Sequence, residues 1–178
     1  MKGVVFTEFL DMVGAKFSPD MADDIIEDAK PASGGAYTAV GTYDHGEMVA
    51  MVVALSRRSN IPVPQLLHAF GQHLFGRFVE LYPGFFTGIA SALDFLERIE
   101  NVIHVEVLKL YPDAELPKFE IRREDADSMI MVYRSPRGMG DLAAGLIDGC
   151  IAHYGQPVSI DRTAMPDGGE SFSLRRTA

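Results

Sequence analysis

One cysteine, Cys150, is all that 178 residues contain, so an internal disulfide is excluded. The disulfide-stapled secreted scaffolds are excluded with it, and a reducing compartment is expected. A basic excess is also missing. Lys and Arg number 16 against 25 Asp and Glu, a formal net charge of −9. Nothing here resembles the electrostatic footprint of a protein that binds nucleic acid or an anionic membrane surface. No apolar run approaches the roughly 20 residues of a membrane span. The opening MKGVVFTEFLDMVGAKF is broken by Glu8 and Asp11 and has no small-residue cleavage site, unlike a secretory signal. A cytoplasmic location is the expectation. HExxH, CxxC, a Walker loop, GxSxG and a GxGxxG in a strand–turn–helix setting are all absent. No Ser–His–acid trio can be assembled on sequence grounds.

What is present suits one domain. The length allows a single real core, and 47% apolar residues can fill it with some surplus for a pocket or interface. Residues 2–17 carry Val5, Phe9, Met12 and Val13 at helical spacing. Ser18-Pro19-Asp20 reads as N-cap, first helical residue and first-turn acid of a second helix that stops before Pro31. Residues 33–43 are loop-like, and Asp44 caps a helix ending near Asn60. Ile61-Pro62-Val63-Pro64 is a rigid joint, followed by a helix from Pro64 to Tyr82 with a stripe of Leu67, Phe70, Leu74, Phe78 and Leu81. Periodicity predicts one longer helix over 89–110, although HVEVLKL at its end also alternates like a strand.

Beyond Tyr111-Pro112 the pattern changes to period two. Strands over 118–123 and 128–135 flank Glu124-Asp125-Ala126-Asp127, and strands over 157–163 and 171–176 flank Pro166-Asp167-Gly168-Gly169. A helix over 139–153 separates the two hairpins. The prediction is an α+β fold: a helical N-terminal lobe of about 1–62, then a mixed lobe of about 63–178 with a four-stranded antiparallel sheet.

Candidate chemistry gathers in the stretch Met129–Tyr154. Tyr133, Ser135 and Arg137 occupy alternate positions, so they share a face if the extended backbone continues to Arg137. A phenol, a hydroxyl and a planar guanidinium together suit a carboxylate or phosphate. The same spacing fits a strand whose Tyr and Ser bond nearby backbone and whose Arg is solvated. Of the five histidines, His45 and His153 sit at helix ends, His68 lies toward the side of its stripe, and His73 lies one residue off the apolar face. His104 follows Val102-Ile103 and has few polar neighbours on its inner side. Lone histidines of this kind are more often satisfied core residues than ligands. Cys150 and the nine methionines fall on apolar stripes, where packing is the ordinary role. One cofactor unites the two signals. Haem needs an apolar slot, an axial nitrogen and a clamp for its acids, which the helical stripes, His104 and Tyr133/Ser135/Arg137 could supply.

A histidine on a helix, followed 29 residues later by Tyr-x-Ser-x-Arg, resembles the haem nitric oxide/oxygen binding (H-NOX) family. That family includes the sensor domain of soluble guanylate cyclases and bacterial stand-alone sensors. The resemblance extends over the MKG-V-F start, Asp44 and its helix, the Phe70-Gly71 helix ending Tyr82-Pro83, Pro117, the helix Asp141–Ile147 and the closing hairpin. It implies haem b with His104 as the iron ligand, and Tyr133, Ser135 and Arg137 bonded to the propionates. Pro117 would press on the haem from the histidine side. Val5, Phe9, Leu74, Phe78, Leu142 and Leu146 would line the gas-binding side. Leu142 stands where oxygen-binding members have a tyrosine, and Leu74 where such members have a polar residue supporting it.

Bound dioxygen gathers negative charge on its outer atom and depends on a hydrogen-bond donor far more than nitric oxide or carbon monoxide. An apolar pocket therefore implies a sensor of those two gases that excludes oxygen. A rotation of its helix would make His73 the one available donor. The resemblance further implies a switch in which nitric oxide weakens the bond to His104 and the helical lobe shifts. The implied protein partner is a histidine kinase or a cyclic-di-GMP enzyme. Two other classes compete. A haem-free module binding an apolar carboxylic acid would use the clamp but leave His104 without a task, and a peroxidase would need a distal acid–base group.

Overall fold

The computed structural model describes residues 1–177. Among them lie seven α-helices and one four-stranded antiparallel sheet, an α+β fold as the periodicities predict. Helices come first, with α1 over Gly3–Lys16, α2 over Pro19–Ala29, α3 over His45–Ser59 and α4 over Val63–Leu81.

Helix α1 has no side-chain cap. Its first amides bond instead to the loop before α3, Gly3 N–H to the Gly41 carbonyl at 2.8 Å and Val4 N–H to the Ala39 carbonyl at 2.9 Å. Helices α2 and α3 start as expected: Ser18 accepts from Met21 N–H and Asp44 from Gly46 N–H. Both end on non-glycine residues in the left-handed region, Lys30 and Asn60.

The densest helix packing joins α4 to α7, which spans Gly140–Tyr154. Glycine makes this crossing possible. A Cβ on Gly71 would fall 2.4 Å from the Leu142 carbonyl, and one on Gly145 would fall 2.0 Å from the His68 carbonyl. Buried side chains form two clusters. Phe6, Phe9, Met51, Leu55, Leu66, Phe70 and Leu74 belong to the first, and Phe75, Leu96, Met131, Ile147, Cys150 and Phe172 to the second. Helix α4 thus serves both.

The single helix expected over 89–110 is broken. Ser91 caps α5, a short helix over Ala92–Glu97, and a π-turn over Ile99–Ile103 leads into α6, His104–Leu110. Inside the turn the Arg98 carbonyl accepts from Ile103 N–H, and the Ile99 carbonyl from His104 N–H, each five residues on. A π-turn carries one residue more than an α-turn, so the stripe upstream and the face of His104 are out of phase. Such turns recur at functional sites.

The sheet comprises β1 (Lys118–Arg123), β2 (Ser128–Arg134), β3 (Val158–Ala164) and β4 (Glu170–Arg176), in the order β1-β2-β4-β3. Both predicted hairpins form, and they join through β2 and β4 with Met131 opposite Phe172. Met129, Met131 and Tyr133 share the buried face of β2, which α7 covers with Ala143, Ile147 and Cys150. Strand β2 ends at Arg134, so the extended backbone does not continue to Arg137, the condition on which the three side chains would share a strand face. Ser135 to Arg137 instead make a turn, with Arg137 N–H on Ser135 Oγ at 3.3 Å and Gly138 at φ +60°.

Candidate functional site

Between the two clusters lies a cavity of about 290 Å³, within reach of the ~300–1,000 Å³ typical of cofactor pockets. Val5, Leu74, Phe78, Leu142 and Leu146 contribute from the side of α1, α4 and α7. Ile99, Ile103, Phe119 and Tyr133 contribute from the second cluster. His104, Pro117, Ser135 and Arg137 complete the wall. Ten of the eleven residues singled out from the sequence therefore meet at one cavity. The exception is Phe9, which does not reach the wall. It is fully buried in the first cluster with its ring edge-on to Phe70 at 5.1 Å.

His104 opens α6 directly after the π-turn. Its side chain is 15% exposed, and its Nδ1 lies 3.1 Å from Glu100 Oε2. Burial holds its pKa below the ordinary histidine value, with the Glu100 carboxylate pulling the other way. Burial thus favours the neutral imidazole. With Nδ1 given to Glu100, Nε2 keeps the lone pair a metal requires. Glu100 also accepts the Phe119 N–H at 3.1 Å, and the Phe119 ring lies between His104 and Tyr133 at 6.1 and 5.5 Å.

The clamp residues arrive by different routes. Tyr133 comes from the buried face of β2, and burial pushes its hydroxyl pKa up against the opposing effect of Ser135 and the Met139 backbone. Arg137 comes from the turn. Its guanidinium bonds to Glu115, Nη1 to the carbonyl at 2.8 Å and Nη2 to the carboxylate at 2.6 Å. That carboxylate is 85% exposed while the Arg137 side chain is 13% exposed, so an acid already sits at the cavity mouth.

Several lining residues carried no warning in the sequence. Lys2 reaches Thr42 and Asp113 and stands 5.2 Å over the Tyr111 ring, and the Tyr82 and Tyr111 hydroxyls are 3.3 Å apart. Burial and the Tyr111 hydroxyl raise Tyr82 to about 12. Glu100 had a detectable signal, since it precedes His104 by four residues. His73 is not on the cavity wall. Its Nε2 is buried without a hydrogen-bond partner, 3.8 Å from Glu8 on α1. His68 pairs with Asp148 at 2.7 Å across α4 and α7, and buried Cys150 has its thiol pKa pushed up by burial alone.

These residues fit haem. Among the described residues no group of three or more His, Cys, Asp or Glu side chains could hold a bare metal ion. A metal bound by His104 alone must bring its other ligands with it, as iron does in a porphyrin. The apolar walls and a guanidinium already gripping a carboxylate match the remainder of that group.

Known proteins resemble the whole chain. A profile described as haem-NO-binding matches residues 2–162. The Fe(II) unliganded H-NOX protein from K. algicida is 37% identical over 100% of this chain and 97% of its own, with a TM-score of 0.94. The IWP-051-bound H-NOX from Shewanella woodyi in the Fe(II)CO state is 36% identical over 99% of this chain and 95% of its own, TM-score 0.84. The S. oneidensis H-NOX in the Fe(II)NO state is 25% identical over 100% of both chains, TM-score 0.93. This chain belongs to the haem-NO-binding family and is an H-NOX domain.

Proposed function

We propose that this chain is a haem b sensor that binds nitric oxide and carbon monoxide on ferrous iron, excludes dioxygen, and regulates a separate signalling protein in the cytoplasm. The family's role as haem-based gas sensors supports the class, and the Fe(II)NO and Fe(II)CO states of the S. oneidensis and Shewanella woodyi relatives support the ligands. Ferrous haem supplies the open coordination position at which a diatomic gas binds. The observation that carries the reading is His104, an imidazole with Nδ1 on Glu100, on the same cavity as Arg137 and an apolar wall of Val5, Leu74, Phe78, Leu142 and Leu146.

His104 would supply the nitrogen ligand to the iron in this reading. Arg137, with Tyr133 and Ser135, would hold the acids of the haem, and Pro117 would pack against it from the histidine side. Val5, Leu74, Phe78, Leu142 and Leu146 keep water and hydrogen-bond donors from the gas. Dioxygen needs such a donor more than the other two gases do, and this is the basis of the selectivity. Phe9 has no place in this set. Loss of its hold on the iron would leave His104 and α6 free to move, and Lys2 links the chain just beyond α6, at Asp113 and Tyr111, to the start of α1. We assign the moving parts to a helical lobe of about 1–62 and a mixed lobe of about 63–178. The partner is a histidine kinase or a cyclic-di-GMP enzyme.

The test is the absorption spectrum of the purified, reduced protein beside that of His104→Ala. A Soret band in the native chain, lost in the variant and restored by added imidazole, is the expected result. Identical spectra from the two proteins, or no haem uptake by either, would overturn the assignment.

A further inference from the structure

We propose that Glu100 is the positioning residue for His104, holding the imidazole in the tautomer protonated at Nδ1 and tightening the grip of Nε2 on a metal. The inference rests on the reading of His104 as a ligand and goes beyond it to what sets the strength of that bond.

Three observations converge. The Glu100 carboxylate has an anchor besides His104, because its Oε2 also accepts the Phe119 amide of β1 at 3.1 Å. Its charge is not spent elsewhere: among the described residues no Lys or Arg nitrogen lies within 4.0 Å of it, and His104 is the side chain it meets. The π-turn supplies the register. Its closing bond, from His104 N–H to the Ile99 carbonyl, holds the two side chains four residues apart on one backbone segment, with Nδ1 and Oε2 at 3.1 Å.

A carboxylate accepting Nδ1–H makes the opposite nitrogen a more basic donor and fixes the orientation of the ring. His104 therefore holds iron more strongly than a histidine facing a neutral acceptor. A ligand that must let go before α6 can move is released less readily the more strongly it donates. Glu100 sets that threshold from one turn upstream and also ties the turn to the edge of the sheet.

Resonance Raman spectroscopy of the reduced, haem-loaded protein reads the iron–histidine stretch directly. Glu100→Gln preserves an acceptor for the Phe119 amide and removes the charge, and Glu100→Ala removes both. The stretch is expected to move to lower frequency in Glu100→Gln and further in Glu100→Ala. Haem loss to excess apomyoglobin should accelerate in Glu100→Ala by about 10-fold or more, as when other outer partners of a metal ligand are removed. A Glu100→Gln stretch at the native frequency overturns the proposal, even if Glu100→Ala fails to fold. A native protein with a Soret band but no iron–histidine stretch overturns the parent assignment of His104 instead.

Discussion

Arg137 grips Glu115 at the mouth of the cavity, its Nη2 2.6 Å from the carboxylate and its Nη1 2.8 Å from the carbonyl of the same residue. In the proposed reading a propionate entering there would meet a guanidinium shaped around an acid, in place of the largely exposed Glu115 carboxylate. Charge-assisted hydrogen bonds of this kind contribute roughly 1.5–3 kcal/mol. Arg137→Ala is therefore expected to raise the haem off-rate by about 10- to 100-fold. Glu115→Gln, which weakens the competing acid, should lower it. Haem transfer to an acceptor protein measures both, and equal rates for Arg137→Ala and the native chain would remove Arg137 from the site.

Leu142 lines the cavity, and in the proposed reading it faces the gas. Leu142→Tyr adds a phenol to a wall that otherwise presents Val5, Leu74 and Phe78. One hydrogen bond to bound dioxygen is worth about 1–1.5 kcal/mol, so the variant should lose dioxygen roughly tenfold more slowly. Carbon monoxide dissociation should change far less. Flash photolysis of both complexes gives the comparison.

The crossing of α4 and α7 depends on missing side chains. Gly145→Ala would bring a methyl group to 2.0 Å from the His68 carbonyl, which backbone movement alone can relieve. Overpacking of this kind costs about 1–3 kcal/mol, equivalent to a fall in Tm of about 2–12 °C at this chain length. Gly76 is the control. It is exposed on α4 with nothing near its missing Cβ, so Gly76→Ala should raise Tm slightly, by helix propensity. Calorimetry of the two variants checks the sign of each.

Burial lowers the pKa of His73, opposed by Glu8 and Asp11 and reinforced by Arg77 and Lys16. Its folded-state value lies below the ordinary 6.5, so the unfolded chain takes up the proton first as pH falls. The stability this group contributes is present above pH 6.5 and is lost as pH falls from there through the folded-state value. His73→Gln should flatten that part of the curve relative to the native protein. Denaturant midpoints measured from pH 7.5 to 5 decide it, since parallel curves would mean that His73 titrates normally.

Much of this architecture is legible in the chain because its signals are local. Ser18 and Asp44 cap the helices they precede, and the turns at 124–127 and 166–169 join strands whose alternation survives in the sheet. His104 and the Tyr-x-Ser-x-Arg pattern meet at the cavity although 29 residues separate them. Other features depend on contacts that no local pattern encodes. The π-turn before His104 inserts a single residue, and the apolar spacing of Ile99, Ile103 and Val107 reads the same with or without it. Val5 and Phe9 lie one turn apart on α1, yet Val5 meets the cavity while Phe9 meets Phe70. Arg137 reaches the wall through a turn after β2 has ended, and its partner Glu115 comes from the loop before β1. Lys2 and Asp113 are 111 residues apart, and only the closed fold brings them to 3.2 Å.

The central claim is that iron held by His104 faces a wall with no donor for the gas. Absorption spectra of the reduced, haem-loaded protein, recorded under argon, in air and under nitric oxide, test it most directly. The account predicts a Soret band that shifts under nitric oxide and is the same in air as under argon, before slow oxidation. A stable oxy spectrum in air would contradict it.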